Sequence, residues 1–90
     1  MRKATVCVTN TLGLHARAAA QLVRLANTFR CSVTVKRHDT GVQADAKDIL
    51  SVLQLAASCG VEIQIIVDGP DEADAITPIT QLFADKFGEE

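Results

Sequence analysis

The chain has little of what nucleic acid, a membrane or a metal would call on. It contains no tryptophan or tyrosine and only three phenylalanines, and its nine basic residues are outnumbered by eleven acidic ones, for a formal net charge of -2. No run of lysine or arginine builds a broad basic surface, so a polyanion partner and a ferredoxin-like RNA binder are both disfavoured. No apolar stretch approaches the roughly 20 residues that span a bilayer, and MRKATVCVT passes directly into an alternating pattern instead of a signal-peptide core. A cytoplasmic chain without membrane insertion is therefore expected. The three cysteines, Cys7, Cys31 and Cys59, are odd in number and too widely spaced for a CxxC pair, which argues against a disulfide framework or zinc knuckle and for buried free thiols. His38 has no Cys/His cluster around it and reads as a hairpin-surface residue, so no metal site is expected.

What is present suits a small core. With 48% hydrophobic residues in 90 positions, the chain can bury one core but has little room for a second domain. Ala4, Val6 and Val8 alternate with Thr5 and Cys7, the period of a half-buried strand. After the turn-rich interval Asn10 to Gly13, apolar residues at Ala19, Leu22, Val23 and Ala26 fall on one helical face and predict a helix over 16–28. CSVTVKR alternates as a second strand. HDTG, residues 38–41, supplies the Asp and Gly of a tight turn, so 42–44 should return as a third strand in a hairpin. Asp45 is placed as the N-cap of a second helix carrying Ile49, Leu50, Val52, Leu53 and Ala56, with Asp48 in its first turn. VEIQIIVDG directs Val61, Ile63, Ile65 and Val67 inward as a central strand. A last helix is predicted to start at Pro70, with a kink or restart where Pro78 removes a hydrogen bond at a cost of about 3 kcal/mol. The order β-α-β-β-α-β-α predicts an α+β open-faced sandwich, one sheet covered on one face by helices.

The chemistry concentrates at TLGLHARAAAQLV. If the helix starts at Ala16, His15 is its cap, next to backbone N–H groups that have no partner within the helix. The positive end of the helix dipole disfavours an imidazolium and leaves the neutral, nucleophilic ring. A phosphoryl group on that ring would meet free N–H donors, a favourable dipole and the guanidinium of Arg17. A histidine beside a helix start is also commonly a plain surface cap, and HAR alone is a weak pattern. The residues by themselves leave both readings standing.

GLHARAAAQLV after the first strand, ADAKDIL at the second helix and GPDEADAI at the third together resemble the histidine-containing phosphocarrier (HPr) family of the bacterial phosphoenolpyruvate-dependent phosphotransferase system. The resemblance covers nearly the whole chain. It implies a single phosphocarrier domain over residues 1–90, with four antiparallel strands covered on one face by three helices. By the same resemblance, His15 is the phosphoryl acceptor through Nδ1 and Arg17 stabilises the phosphate. Enzyme I is the implied donor and a IIA-type protein or domain the acceptor. The chain is then a carrier and not an independent enzyme, needs no cofactor or metal, and is expected to be monomeric. The alternative of a different class is a regulatory protein-binding module of the same fold, in the nitrogen-related branch of the system.

Two departures from the family pattern stand out. Ala18 replaces a common proline after the histidine, and Asp48 occupies the position of a serine that a dedicated kinase phosphorylates in some members. Asp cannot accept that modification, and a structural role toward the helix dipole is the simpler one. The resemblance places partner docking on Ala16, Ala20, Ile49, Leu50, Leu53 and Gln54, with some of Leu50 and Leu53 exposed. Since each 1.4 kcal/mol of phosphohistidine stabilisation shifts the transfer equilibrium about tenfold, the site should clamp weakly, with an exposed His15 and a mobile Arg17.

Overall fold

Alternating side chains on neighbouring strands line up across the sheet and set which face is buried. In a computed structural model, in which residues 1–89 are described, β1 (Arg2–Cys7), β2 (Ser32–Arg37), β3 (Gln43–Asp45) and β4 (Glu62–Asp68) form one antiparallel sheet in the order β1-β4-β2-β3. Ala4 lies opposite Ile65, which faces Val35, which in turn faces Ala44. One residue along, the row is Thr5, Gln64, Lys36 and Gln43. The first row faces the core and the second the open side, the alternation expected of a sheet covered on one face. Ile63, Ile65, Val67, Val33 and Val35 are all fully or almost fully buried. Each such side chain contributes on the order of 1.5–3 kcal/mol. β4 is central, as its alternation predicts.

Three helices supply the cover: α1 (Ala16–Ala26), α2 (Ile49–Gln54) and α3 (Glu72–Ala84). α1 buries Ala18, Ala19, Leu22 and Ala26, and α3 buries Ala75, Ile79 and Phe83, each set on one stripe at helical spacing. α3 runs without a restart through Pro78. Ala75, Ile79 and Phe83 flank the proline on both sides and hold both halves to the core, which outweighs the one lost backbone bond.

Several element ends differ from the sequence expectation. α1 stops at Ala26, short of Thr28, because the side chains of Asn27 and Thr28 take carbonyls of the last turn: Asn27 Nδ2 donates to Val23 O at 2.8 Å and Thr28 Oγ1 to Leu25 O at 2.6 Å. β3 is Gln43–Asp45, one residue later than expected, since pairing Val35 with Ala44 puts the apolar side chain inward and leaves Val42 exposed. Asp45 is therefore a strand residue, and the cap of α2 is Asp48, whose carboxylate accepts from Leu50 N at 3.0 Å and Ser51 N at 3.4 Å. α2 ends at Gln54, and Ala56 turns out with a φ of 51°. α3 is capped at Asp71, so Pro70 precedes the helix instead of opening it.

The cysteines also correct the reading. All three are free, but only Cys31 is buried; Cys7 and Cys59 are exposed. Cys7 shares the open side of β1 with Thr5, and Cys59 sits in the turn before β4. Among the described residues no helix is long and apolar enough to cross a membrane.

After α3 the chain reverses. Lys86 and Phe87 both take left-handed φ values, 54° and 56°, within the short turn Lys86–Gly88. That conformation costs a non-glycine residue roughly 1–2 kcal/mol. It is offset by Phe87, which is buried and stands edge-on to Phe83 with ring centroids 4.9 Å apart, and by Gln21 Nε2, which donates to Phe87 O at 2.9 Å. The reversal sends Glu89 back toward the start of α1.

Candidate functional site

The loop before α1 is pinned from below. Leu14 N donates to Ala57 O at 2.8 Å and Gly13 N to Asn10 O at 3.1 Å, closing residues 10–14 onto the segment after α2. Asn10 is fully buried, and its Nδ2 donates to Gly13 O at 2.8 Å. This loop delivers His15 to the N-cap of α1 with an extended backbone, φ -77° and ψ -178°. His15 O accepts the first helical bond, from Ala19 N at 2.8 Å.

The His15 ring is held at both nitrogens. Nδ1 accepts from the backbone N–H of Arg17 at 3.4 Å, and Nε2 lies 2.6 Å from Glu89 Oε2. A nitrogen that accepts an N–H carries no proton of its own, so this network assigns the ring proton to Nε2, donated to Glu89. Glu89 Oε1 in turn accepts from Asn10 Nδ2 at 2.8 Å. Burial alone would raise the Glu89 carboxyl. The hydrogen bonds from Asn10 and His15, with the charge of Arg17 and the charge that the His15 ring gains when it is protonated, outweigh that effect and hold it below the ordinary glutamate range.

The contact with Glu89 modifies one expectation. The His15 side chain is 28% exposed and that of Glu89 10%, so the ring is mostly covered instead of fully open. Arg17 is exposed and its guanidinium forms no ion pair among the described residues. The arrangement offers an unprotonated Nδ1 at the positive end of a helix, beside N–H groups able to receive an anion and an uncommitted guanidinium. That combination fits a ring that takes up a phosphoryl group.

Residues 2–85 match the PTS-HPr family, described as the PTS HPr component phosphorylation site. The chain belongs to this family of phosphocarrier proteins of the phosphotransferase system. It is 44% identical over 86 residues to the phosphocarrier protein HPr of Treponema pallidum, covering 96% of each chain. It is 41% identical over 85 residues to the phosphocarrier protein NPr of Proteus mirabilis, covering 94% of this chain and 93% of that one. The crystal structure of HPr from Thermoanaerobacter tengcongensis superposes with a TM-score of 0.92 at 34% identity, over 100% of this chain and 99% of that one. The HPr fold and a role as phosphoryl carrier therefore hold for this chain.

The other residues singled out from the sequence spread over the surface of α1 and α2, which pack against each other. Leu50 is 68% exposed and Ile49 37%. Ala16 and Gln54 are exposed, while Ala20 and Leu53 are half-buried, Leu53 against the core. Leu12, in the loop leading to His15, is 69% exposed, and no periodicity in that turn-rich interval marks it. Ala18, at the family's proline position, is fully buried in the first turn. His38 is exposed at the hairpin, on the rim of a polar groove with Thr5, Lys36, Glu62 and Gln64 on the open side of the sheet. No group of three metal-ligating side chains occurs among the described residues.

Asn10 and Glu89 are the site residues that sequence reasoning missed. They lie 79 residues apart, and Glu89 lies 74 residues from His15. No local pattern announces such a contact.

Proposed function

We propose that residues 1–90 act as one phosphocarrier domain in which His15 Nδ1 accepts a phosphoryl group from phospho-Enzyme I and passes it to a IIA-type protein or domain. In the forward step the Arg17 N–H releases Nδ1, whose lone pair forms the bond to phosphorus while the bond to the donor breaks and its electron pair returns to the donor. The proton stays at Nε2. Discharge to the acceptor is the same exchange in reverse. Arg17 and the first backbone N–H groups of α1 share the charge of the carried group. Helix ends contribute only about 0.3–1 kcal/mol each at exposed positions, so the group is held loosely enough to leave. Ala16, Ala20, Ile49, Leu50, Leu53 and Gln54 form the docking face for both partners.

The observation that carries this reading is the placement of His15 Nδ1 at the N-cap of α1, facing the backbone N–H of Arg17, in a chain of the HPr family. The test incubates the protein with phosphoenolpyruvate, Mg²⁺ and Enzyme I. An acid-labile phosphoryl group should appear on the wild type and be missing in His15→Ala; a wild type that stays unlabelled overturns the assignment.

A further inference from the structure

We propose that Glu89 and Asn10 form an orienting pair, supplied by the C-terminal residues and the buried loop, that fixes the tautomer of His15 and so selects Nδ1 as the nitrogen that reacts. The inference rests on the reading of His15 as phosphoryl acceptor and adds to it two residues that lie outside the histidine segment.

The geometry points one way at each link. Asn10 is fully buried, and its Nδ2 donates its two hydrogens to Gly13 O and Glu89 Oε1, both at 2.8 Å. Since both partners are acceptors, the amide cannot be turned around, and its Oδ1 is left buried without a hydrogen-bond partner among the described residues. An unpaired buried acceptor costs on the order of 1–3 kcal/mol. The bonds to the Glu89 carboxylate and the loop carbonyl are what offset that cost. Glu89 then places its second oxygen 2.6 Å from Nε2. Its depressed carboxyl keeps it an anion, which can only accept. A neutral ring bound this way carries its proton on Nε2 and presents a lone pair at Nδ1.

The same contact acts during transfer. As Nδ1 bonds to phosphorus, positive charge spreads over the ring and its Nε2–H, where the Glu89 carboxylate sits to balance it. Once the phosphoryl group is in place, its own negative charge repels that carboxylate across the ring, which limits how far the carried state is favoured. Glu89 thus works as a positioning residue through His15, without touching phosphorus. Its reach depends on the strained turn at Lys86 and Phe87, anchored by the buried Phe87 ring and by Gln21.

The test uses the full chain labelled with ¹⁵N at histidine. In the unphosphorylated wild type with a neutral ring, the two nitrogen shifts should report predominantly protonated Nε2. Glu89→Ala should move them toward a mixture containing protonated Nδ1 and slow phosphoryl acceptance from Enzyme I by about tenfold. Glu89→Gln, with a single acceptor oxygen in place of two, should fall between. Retained amide spectra in both variants establish that the fold is intact. Predominant Nδ1–H in the wild type, shifts and rates unchanged in Glu89→Ala, or faster acceptance by that variant would each overturn the proposal, the last by making the C-terminal residues a cover. The tautomer measurement needs no phosphoryl donor, so it stands even if the wild type fails to take up label, an outcome that would sink the carrier assignment at His15 instead.

Discussion

Gly13 approaches the Ala57 carbonyl so closely that a Cβ on it would lie 2.6 Å from that oxygen and 2.8 Å from Ser58 Cα. Both neighbours are backbone and cannot swing away. Gly13 also holds φ at +69°, where a side chain adds strain of its own. Gly13→Ala should therefore lower stability by about 2 kcal/mol or more, a drop of roughly 10 °C in Tm for a domain of this size. Because the same loop delivers His15, phosphoryl acceptance should fall even at temperatures where the variant is folded. Thermal unfolding followed by circular dichroism, together with the labelling assay, checks both parts. A loss below about 0.5 kcal/mol would mean the loop lifts off residues 57–58 without cost.

Asp48 caps α2 through Leu50 N and Ser51 N. Its removal in Asp48→Ala should cost about 1 kcal/mol, whereas Asp48→Ser should stay within about 0.5 kcal/mol of the wild type, since Ser and Asp cap almost equally well. Urea denaturation of the three proteins gives the comparison. An Asp48→Ala protein as stable as the wild type would show that the cap bond contributes nothing. The wild type should also gain no phosphate at position 48 when given a kinase of the type that modifies the serine of relatives, with ATP. Intact-protein mass spectrometry reads this out, and Ser51→Ala excludes the neighbouring hydroxyl.

The parts legible in the sequence are those set by local period. Alternation in VEIQIIVDG marks β4 and its central place, and helical spacing after His15 marks the buried stripe of α1. Ends are less legible because two chemistries compete for the same residues. Asp45 and Asp48 are both good caps, but pairing opposite Thr34 takes Asp45 into the sheet. Asp71 caps α3 by position while its carboxylate is committed elsewhere. Alternation along β1 puts Cys7 on the side away from Val6 and Val8, which already implies exposure; the general preference of cysteine for burial is the weaker guide. The histidine is legible because its chemistry depends on a helix start a single residue away. Its partners Asn10 and Glu89 are not, because only the tertiary fold brings them to it.

Leu50 is 68% exposed on a helix whose Val52 is fully buried. An apolar side chain of that size in water, beside the helix that carries His15, is suited to a partner surface. Leu50→Asp should leave the unfolding midpoint close to that of the wild type while weakening Enzyme I binding by about tenfold or more, equivalent to about 1.4 kcal/mol. Val52→Ala should do the opposite, costing about 2 kcal/mol of stability with binding preserved in the folded fraction. Calorimetric titration with Enzyme I, paired with unfolding curves, separates the two. If Leu50→Asp binds normally, the docking face does not include the exposed side of α2.

Asp71 joins the loop after α1 to the start of α3. Its carboxylate accepts from Arg30 N and Cys31 N, each at 2.8 Å, and makes no cap bond to its own helix. The bond from Arg30 N, reinforced by those from Cys31, outweighs desolvation and holds the carboxyl below its ordinary value of 3.8. A carboxyl whose folded value is depressed stabilises the fold at pH values above its unfolded value, and that contribution disappears as pH falls through the folded value. The stability difference between wild type and Asp71→Asn should therefore be constant from neutrality down to about pH 5 and shrink progressively below about pH 4. The substituted amide keeps a single acceptor oxygen for two backbone N–H groups, so the variant is the less stable protein at neutral pH. Chemical denaturation at a series of pH values measures the difference directly. A gap that stays flat through about pH 3, or widens there, would mean that the two loop amides do not favour the ionised carboxylate.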